Sequence, residues 1–245
     1  DHPLPVLAGI NEALKNRGEA IFKFYRSTNE FQKQISQLDN FSGAAIYPDH
    51  LAMDQVDRLR DSGYPLVVID NFHCNPNSGS FVDSGPLEAA HKLTTRLLEE
   101  RCESVAIIAP DNPFGRKFTD SYREAHHKRR VRFASNHICM TDSEGSAIEV
   151  TKRLLSASKP PRSIVYASSV DAMYGCRIIQ DIGYTRVQLA CFGEIPGMDL
   201  WQSQIITAKR DYHRIGLDAG KLLLELRNQH CNERSKLCIV KHQSY

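Results

Sequence analysis

Short apolar runs bounded by Gly, Pro or Asp recur along this chain, with a stretch of helical character between each pair, and few folds satisfy that alternation. "AIFKFY" (20–25), "GAAIY" (43–47) and "PLVVID" (65–70) appear in the first half, and "SVAIIAP" (104–110), "NHICM" (136–140), "SIVYAS" (163–168) and "VQLACFG" (187–193) in the second. A run of four to seven apolar residues without strict alternation is what a strand buried on both faces looks like, and such strands belong to parallel sheets covered by helices. The intervening segments have helical spacing. Leu7, Ile10 and Leu14 share a face ahead of Gly18, "DQVDRLRDSG" follows the second run, and Ile215, Ala219, Leu222 and Leu226 align late in the chain. The expectation is a doubly wound α/β architecture in two interwoven parallel-sheet lobes with a ligand cleft between them, closed by a last strand at "KLCIV". No linker rich in Pro, Gly or Ser separates the halves.

In open parallel sheets, ligands bind beyond the carboxyl ends of the strands, where the connecting loops gather. That rule selects Arg26 to Thr28, Tyr47 to Asp49, Asn71 and Phe72, Asp111 to Arg116, Ser168 to Asp171, and Gly193 to Pro196. Arg116 lies at the entrance of a helix, whose free backbone donors and positive dipole end favour anionic or hydroxyl-rich ligands; the bland alternative is an exposed surface arginine. Lys209 and Arg210 lie between "IITA" and the last long helix. A guanidinium there suits a carboxylate or phosphate, or a solvated salt bridge. Ser168 and Ser169 precede Asp171 at a helix mouth, where a hydroxyl can cap the helix or bond a ligand. Glu194 can accept two sugar hydroxyls or face water.

Bulk properties remove several functions. Over 245 residues the formal charge is only +2, too small for nucleic-acid binding by a clustered excess of Lys and Arg, and no apolar run approaches a membrane span. "HHKRRVR" (126–132) reads as a solvated helix terminus, because cations oppose the negative end of the dipole. Seven scattered cysteines without a C-x-x-C spacing suggest neither a disulfide framework nor a zinc site, and point to a reducing cytosol. There is no G-x-G-x-x-G after a strand, no Walker loop, no H-E-x-x-H and no G-x-S-x-G. No catalytic residue, metal ligand or cofactor is expected.

The order of "LAGINEALKNRG", "GAAIYP", "PLVVIDN", "VDSGPLEAAHKLTTRLLE", "SVAIIAP", "GRKFTDSYREA", "ACFGEIP" and "IITAKRDYHRIGLDAGKLLLEL" resembles the effector-binding domain of the lactose-repressor (LacI/GalR) family of bacterial transcription regulators. The resemblance spans essentially the whole chain. It implies that Arg116, six residues before Tyr122, contacts the ligand, and that Arg210 stands where the family often has a ligand-contacting glutamine. His2 and Asp83 complete the implied ligand set of His2, Arg26, Tyr47, Asn71, Phe72, Asp83, Arg116, Ser168, Ser169, Asp171, Glu194 and Arg210. Two serines replace the usual asparagine after "IVYA", and "CFGE" keeps one acid where the family has two. The F-G-acid string and the longer serine loop are similar to the fructose- and sucrose-repressor branch, in which phosphorylated sugars act as effectors.

The resemblance implies one lobe of residues 1–103 plus 210–228, and a second of 104–209 plus 229–245. The first strand and an N-terminal helix-turn-helix would lie outside this chain. It further implies a cytoplasmic homodimer that binds a small sugar or sugar phosphate and controls operator DNA through that missing domain. The alternative on the same fold is an exported sugar-binding protein of a transport system.

Overall fold

Every strand pair among the described residues is parallel, as expected for runs buried on both faces. A computed structural model describes residues 3–15, 20–25, 29–30, 33, 43–47, 53–69, 81–83, 85–100, 104–142, 146–184, 186–195, 205–230 and 237–242. One sheet contains β1 (Ala20–Tyr25), β2 (Gly43–Tyr47), β3 (Leu66–Ile69), β4 (Phe81–Val82) and β10 (Leu237–His242), in the order β1-β10-β2-β3-β4. The other contains β5 (Val105–Pro110), β6 (Ile138–Thr141), β7 (Ser163–Tyr166), β8 (Gln188–Phe192) and β9 (Ile205–Ala208), in the order β6-β5-β7-β8-β9. The helices are α1 (Pro3–Leu14), α2 (Met53–Asp61), α3 (Pro86–Glu99), α4 (Pro113–Arg129), α5 (Ser146–Leu155), α6 (Ser169–Asp181) and α7 (Tyr212–His230).

The chain divides into a first unit of Asp1–Ser84 with Asp211–Tyr245 and a second of Gly85–Arg210. This corrects the lobe boundaries read from the sequence. The last strand, expected in the second lobe, pairs with β1 on one side and β2 on the other, Val240 lying opposite Lys23 and Ile46. Helix α3, expected in the first lobe, buries Ala89, Leu93 and Leu97 in the same cluster as Ile107, Phe118 and Val165 of the second unit. The two-residue β4 was not foreseen; it pairs with β3 through Val68 and Ile69. The polar, helix-forming stretch that begins at Gln32 falls largely outside the described residues.

In the first unit, α1 and α7 pack at backbone distance. A Cβ added to Gly9 would stand 2.1 Å from the carbonyl oxygen of His213, and one added to Gly216 would stand 2.0 Å from that of Val6. Only glycine allows this approach. Around it Ile10, Leu14, Val67, Ile69, Ala219 and Leu223 are buried together, with Leu222 and Leu226 at the margin.

The second unit shows why β5 reads as an unbroken apolar run. Ala106 and Ile108 enter one cluster with Ala147, Val150, Ala172 and Cys176 of α5 and α6. Val105, Ile107 and Ala109 enter another with α3 and α4. Successive residues point to opposite faces, and both faces are covered. Tyr166 is fully buried, its hydroxyl 2.9 Å from Thr151 Oγ1, and a Cβ on Gly175 would meet that hydroxyl at 2.1 Å. Cys139, Cys176 and Cys191 are free and buried; burial pushes the thiol of Cys176 up to about 11 and that of Cys191 up to about 12.

Near the end of α4, His126 is 1% exposed, and its Nδ1 lies 3.1 Å from the Val131 carbonyl oxygen, so Nδ1 carries the proton and donates. Its Nε2 is buried without a partner among the described residues. Burial holds the imidazole below its ordinary value, against the opposing effect of the Val131 carbonyl, and burial also lowers His137. The unfolded chain, with histidine near 6.5, therefore binds more protons than the folded one just below that pH. Stability from the neutral rings is full above about pH 6.5 and is lost as pH falls through their depressed folded values. Urea midpoints should fall between about pH 7 and 5, and His126→Leu should flatten that slope; an unchanged slope in the variant would place the proton uptake elsewhere.

Candidate functional site

The order of the second sheet marks the site before any side chain is considered. From β5 the chain runs through α4 to β6 on one side, and from β7 through α6 to β8 on the other. Connections that depart in opposite directions leave a crevice at the carboxyl ends of the two adjacent strands, β5 and β7. Helices α4 and α6 begin directly after those ends, so their N-termini, the positive ends of their dipoles, gather at this edge.

Each entrance is built by its local sequence. Asn112 caps α4 by accepting from the Gly115 N–H at 2.9 Å, and Pro113 supplies a preset first turn. Gly115 is required there, since a Cβ would lie 1.8 Å from the Pro110 carbonyl oxygen. Arg116 follows, its Nε and Nη2 donating to Asp111 Oδ1 at 3.2 and 3.0 Å, with 69% of its side chain exposed. An exposed pair of this kind contributes about 0–1 kcal/mol, so the guanidinium can exchange Asp111 for another anion at little cost. Ser168 caps α6, its Oγ accepting from the Asp171 N–H at 3.4 Å. The two serines thus divide their work. Ser169 packs against Gly193, which has a left-handed φ of 106° and whose added Cβ would stand 3.2 Å from Ser169 Oγ.

The ends of β8 and β9 carry the less expected chemistry. The Gly193 N–H donates to the Ala208 carbonyl at 2.9 Å, and Glu194 Oε1 lies 3.4 Å from Lys209 Nζ. Arg210 lays its guanidinium over the Phe192 ring, 4.5 Å from the centroid. Phe192 is held by Phe114 and Phe118, with ring centroids 6.5 and 6.2 Å away. Arg210 Nε is buried and has no hydrogen-bond partner among the described residues. Ion pairs at this edge join Arg116 to Asp111 and Lys209 to Glu194, while Arg210 has no acid partner among the described residues.

Of the residues selected from the sequence, Arg116, Ser168, Ser169, Asp171, Glu194 and Arg210 all lie at the carboxyl edge of the second sheet. Tyr47 ends β2 and exposed Asp83 follows β4, both at the carboxyl edge of the first sheet. His2, Arg26, Asn71 and Phe72 lie outside the described residues. Phe192 was missed, because an aromatic at the end of an apolar run reads as core. Also missed was a groove of about 570 Å³ beside Asp111, lined by Asp142, Ser146, Glu149 and Arg153. Among the described residues no group of three or more His, Cys, Asp or Glu is placed to hold a metal ion, and no helix is long and apolar enough to cross a membrane.

Solved structures with this architecture are numerous. A regulatory protein of the LacI family from Chloroflexus aggregans aligns with a TM-score of 0.79 at 15% identity, over 98% of this chain and 89% of that one. This chain has the fold seen in LacI-family regulators. The transcriptional regulator CelR in complex with cellobiose shares that fold, with a TM-score of 0.76 at 18% identity over 96% of this chain and 75% of that one. A sugar-binding LacI-family regulator from Escherichia coli complexed with phosphate aligns at 0.70 and 16% identity, over 87% and 80%. No protein-family model and no curated protein sequence matches the chain. The LacI-type fold is thus kept at identities where sequence comparison alone no longer detects it.

Proposed function

We propose that this chain is the effector-sensing domain of a LacI-family transcription regulator, binding a small sugar or sugar phosphate without transforming it. The observation that carries the reading is Arg210: a guanidinium seated on Phe192, its Nε desolvated and unpaired, at the edge where ligands bind in parallel sheets. A buried donor left without an acceptor costs about 1–3 kcal/mol, which an arriving phosphate or carboxylate recovers. Ser169, Asp171 and Glu194 add hydroxyl and carboxylate groups suited to sugar hydroxyls, and Arg116 adds a second, exchangeable cation. His2, Arg26, Tyr47, Asn71, Phe72 and Asp83 belong to the same proposed set, with Ser168 contributing through its cap. Two complexes on this fold, one with cellobiose and one with phosphate, support a ligand that is both hydroxylated and anionic.

The regulator is a cytoplasmic homodimer, and operator DNA is held by a domain preceding this chain. Effector binding shifts the population between two states that differ in operator affinity, and it does so only through its different affinity for each state. The three solved structures compared above are named as regulators, which favours regulation over solute transport. A melting-temperature screen of the purified chain against sugars and sugar monophosphates tests the reading. A ligand specific to the folded state stabilises by RT ln(1 + [L]/Kd), about 2.7 kcal/mol at a hundredfold excess over Kd, or roughly 5–11 °C at this chain length. A flat response to every sugar and sugar phosphate would count against it.

A further inference from the structure

The proposed function leaves unused the basic run His126 to Arg132, which the sequence suggested was only a solvated helix terminus. The structure instead folds it around a cavity of about 430 Å³ where α4 ends. Arg123, Arg130, Arg132, His126 and His127 line this cavity, and Val131 and Phe133 give it an apolar wall; no acidic side chain is among them. Neighbouring cations are neutralised on the surface, Arg123 by Asp120, Lys128 by Glu124 and Arg129 by Glu99. Arg130 and Arg132 form no ion pair among the described residues.

Two further features distinguish this pocket from a solvated terminus. Arg130 holds the left-handed cap of α4, φ 56°, its N–H directed at the His126 and His127 carbonyls. Glycine is the ordinary residue there because a Cβ strains that region; strain kept at one cationic side chain points to a use for the side chain. Phe133 is 37% exposed yet held edge-on against Tyr122 and His126, with ring centroids 5.6 and 5.2 Å away. A rigid aromatic beside unpaired arginines is the composition found at the energetic centres of protein interfaces.

We infer that this pocket docks an acidic segment of a partner protein, whose carboxylates pair with Arg130 and Arg132 while an apolar side chain packs on Phe133 and Val131. A nucleic-acid backbone fits less well. It presents a continuous line of charge and calls for a row of cations, whereas among the described residues lining this cavity the arginines without an ion pair are Arg130 and Arg132, and an apolar wall stands beside them.

The test uses the whole chain and a fluorescein-labelled Glu-Glu-Leu-Glu-Glu peptide, read by fluorescence anisotropy. A duplex DNA and inorganic phosphate serve as the competing occupants. The peptide binds the wild type, binding weakens with added salt, and the Arg130→Gly/Arg132→Ala variant binds about tenfold or more weakly, as expected for losing charge-assisted hydrogen bonds. Arg130→Gly alone relieves the left-handed cap and raises the melting temperature while still weakening the peptide, which separates lost binding from lost folding. The inference is overturned if the wild type does not bind the peptide, if the double variant binds it equally well, or if DNA or phosphate displaces it at lower concentration than unlabelled peptide does.

Discussion

Arg210→Met is expected to weaken binding of a sugar phosphate by about 30-fold or more while leaving the melting temperature level or slightly higher. The two halves of that expectation share one cause. In the free protein Arg210 keeps a buried Nε without an acceptor, a cost that a thioether of similar length removes, and methionine still packs on Phe192. In the complex that donor meets an anion, and truncating a buried, hydrogen-bonded charge costs about 2–5 kcal/mol, with each 1.4 kcal/mol worth a factor of ten. Residues selected for binding commonly cost stability, so the pair of signs separates a ligand site from a structural arginine. Calorimetric titration and thermal melts of the two proteins side by side give both numbers. A variant that binds as tightly as the wild type would remove Arg210 from the site, and one that melts well below it would make Arg210 a packing residue.

Tyr122→Ala is expected to cost about 3–5 kcal/mol, lowering the melting temperature by roughly 6–20 °C. Tyr122 is fully buried between α4 and the sheet, in the cluster with Phe118, Leu93 and Ile107. Its hydroxyl donates to the Val105 carbonyl at 2.8 Å, and burial pushes the phenol far up, so it keeps its proton and its bond at any working pH. Tyr122→Phe isolates the polar part. It leaves the Val105 oxygen without that donor, a penalty of about 1–3 kcal/mol without a cavity. Urea unfolding of the two variants checks the partition, and a Tyr122→Ala loss below about 1 kcal/mol would contradict the packing described. This tyrosine enters the family resemblance only as the marker from which Arg116 is counted. Its own work is to seat α4 on β5, and so to fix where the Arg116 entrance lies.

What the sequence made legible follows from which interactions are local. "VAIIA" and "IVY" read as buried parallel strands because both faces of each are covered, and they fold as β5 and β7. The helix entrance at Arg116 was legible as well, and the devices that build it, the Asn112 cap, Pro113 and the close approach at Gly115, involve residues only a few positions apart. The destination of the last strand was not legible, because "KLCIV" carries nothing that distinguishes one parallel sheet from another. Its register partners in β1 and β2, Ala20 and Gly43 opposite Leu237, are 217 and 194 residues away in sequence. Helix α3 failed for the same reason, an apolar stripe being equally suited to either sheet. At the site, position was legible and pairing was not. Arg116 and Arg210 look alike as cations at strand ends. In the fold the first is paired with Asp111 in solvent, and the second is stacked on Phe192 without an acid partner among the described residues.

The central claim is that an anionic, hydroxylated small molecule is held through Arg210 and released unchanged. Phosphorus NMR addresses it directly, using whichever sugar monophosphate stabilises the chain most. On addition of the wild type, the phosphate resonance should shift or broaden in proportion to occupancy, return toward its free position as excess sugar phosphate lowers the bound fraction, and stay unmoved with Arg210→Met. No inorganic phosphate signal should grow over a day. A resonance that stays in place with the wild type, or one that gives way to inorganic phosphate, would contradict the account.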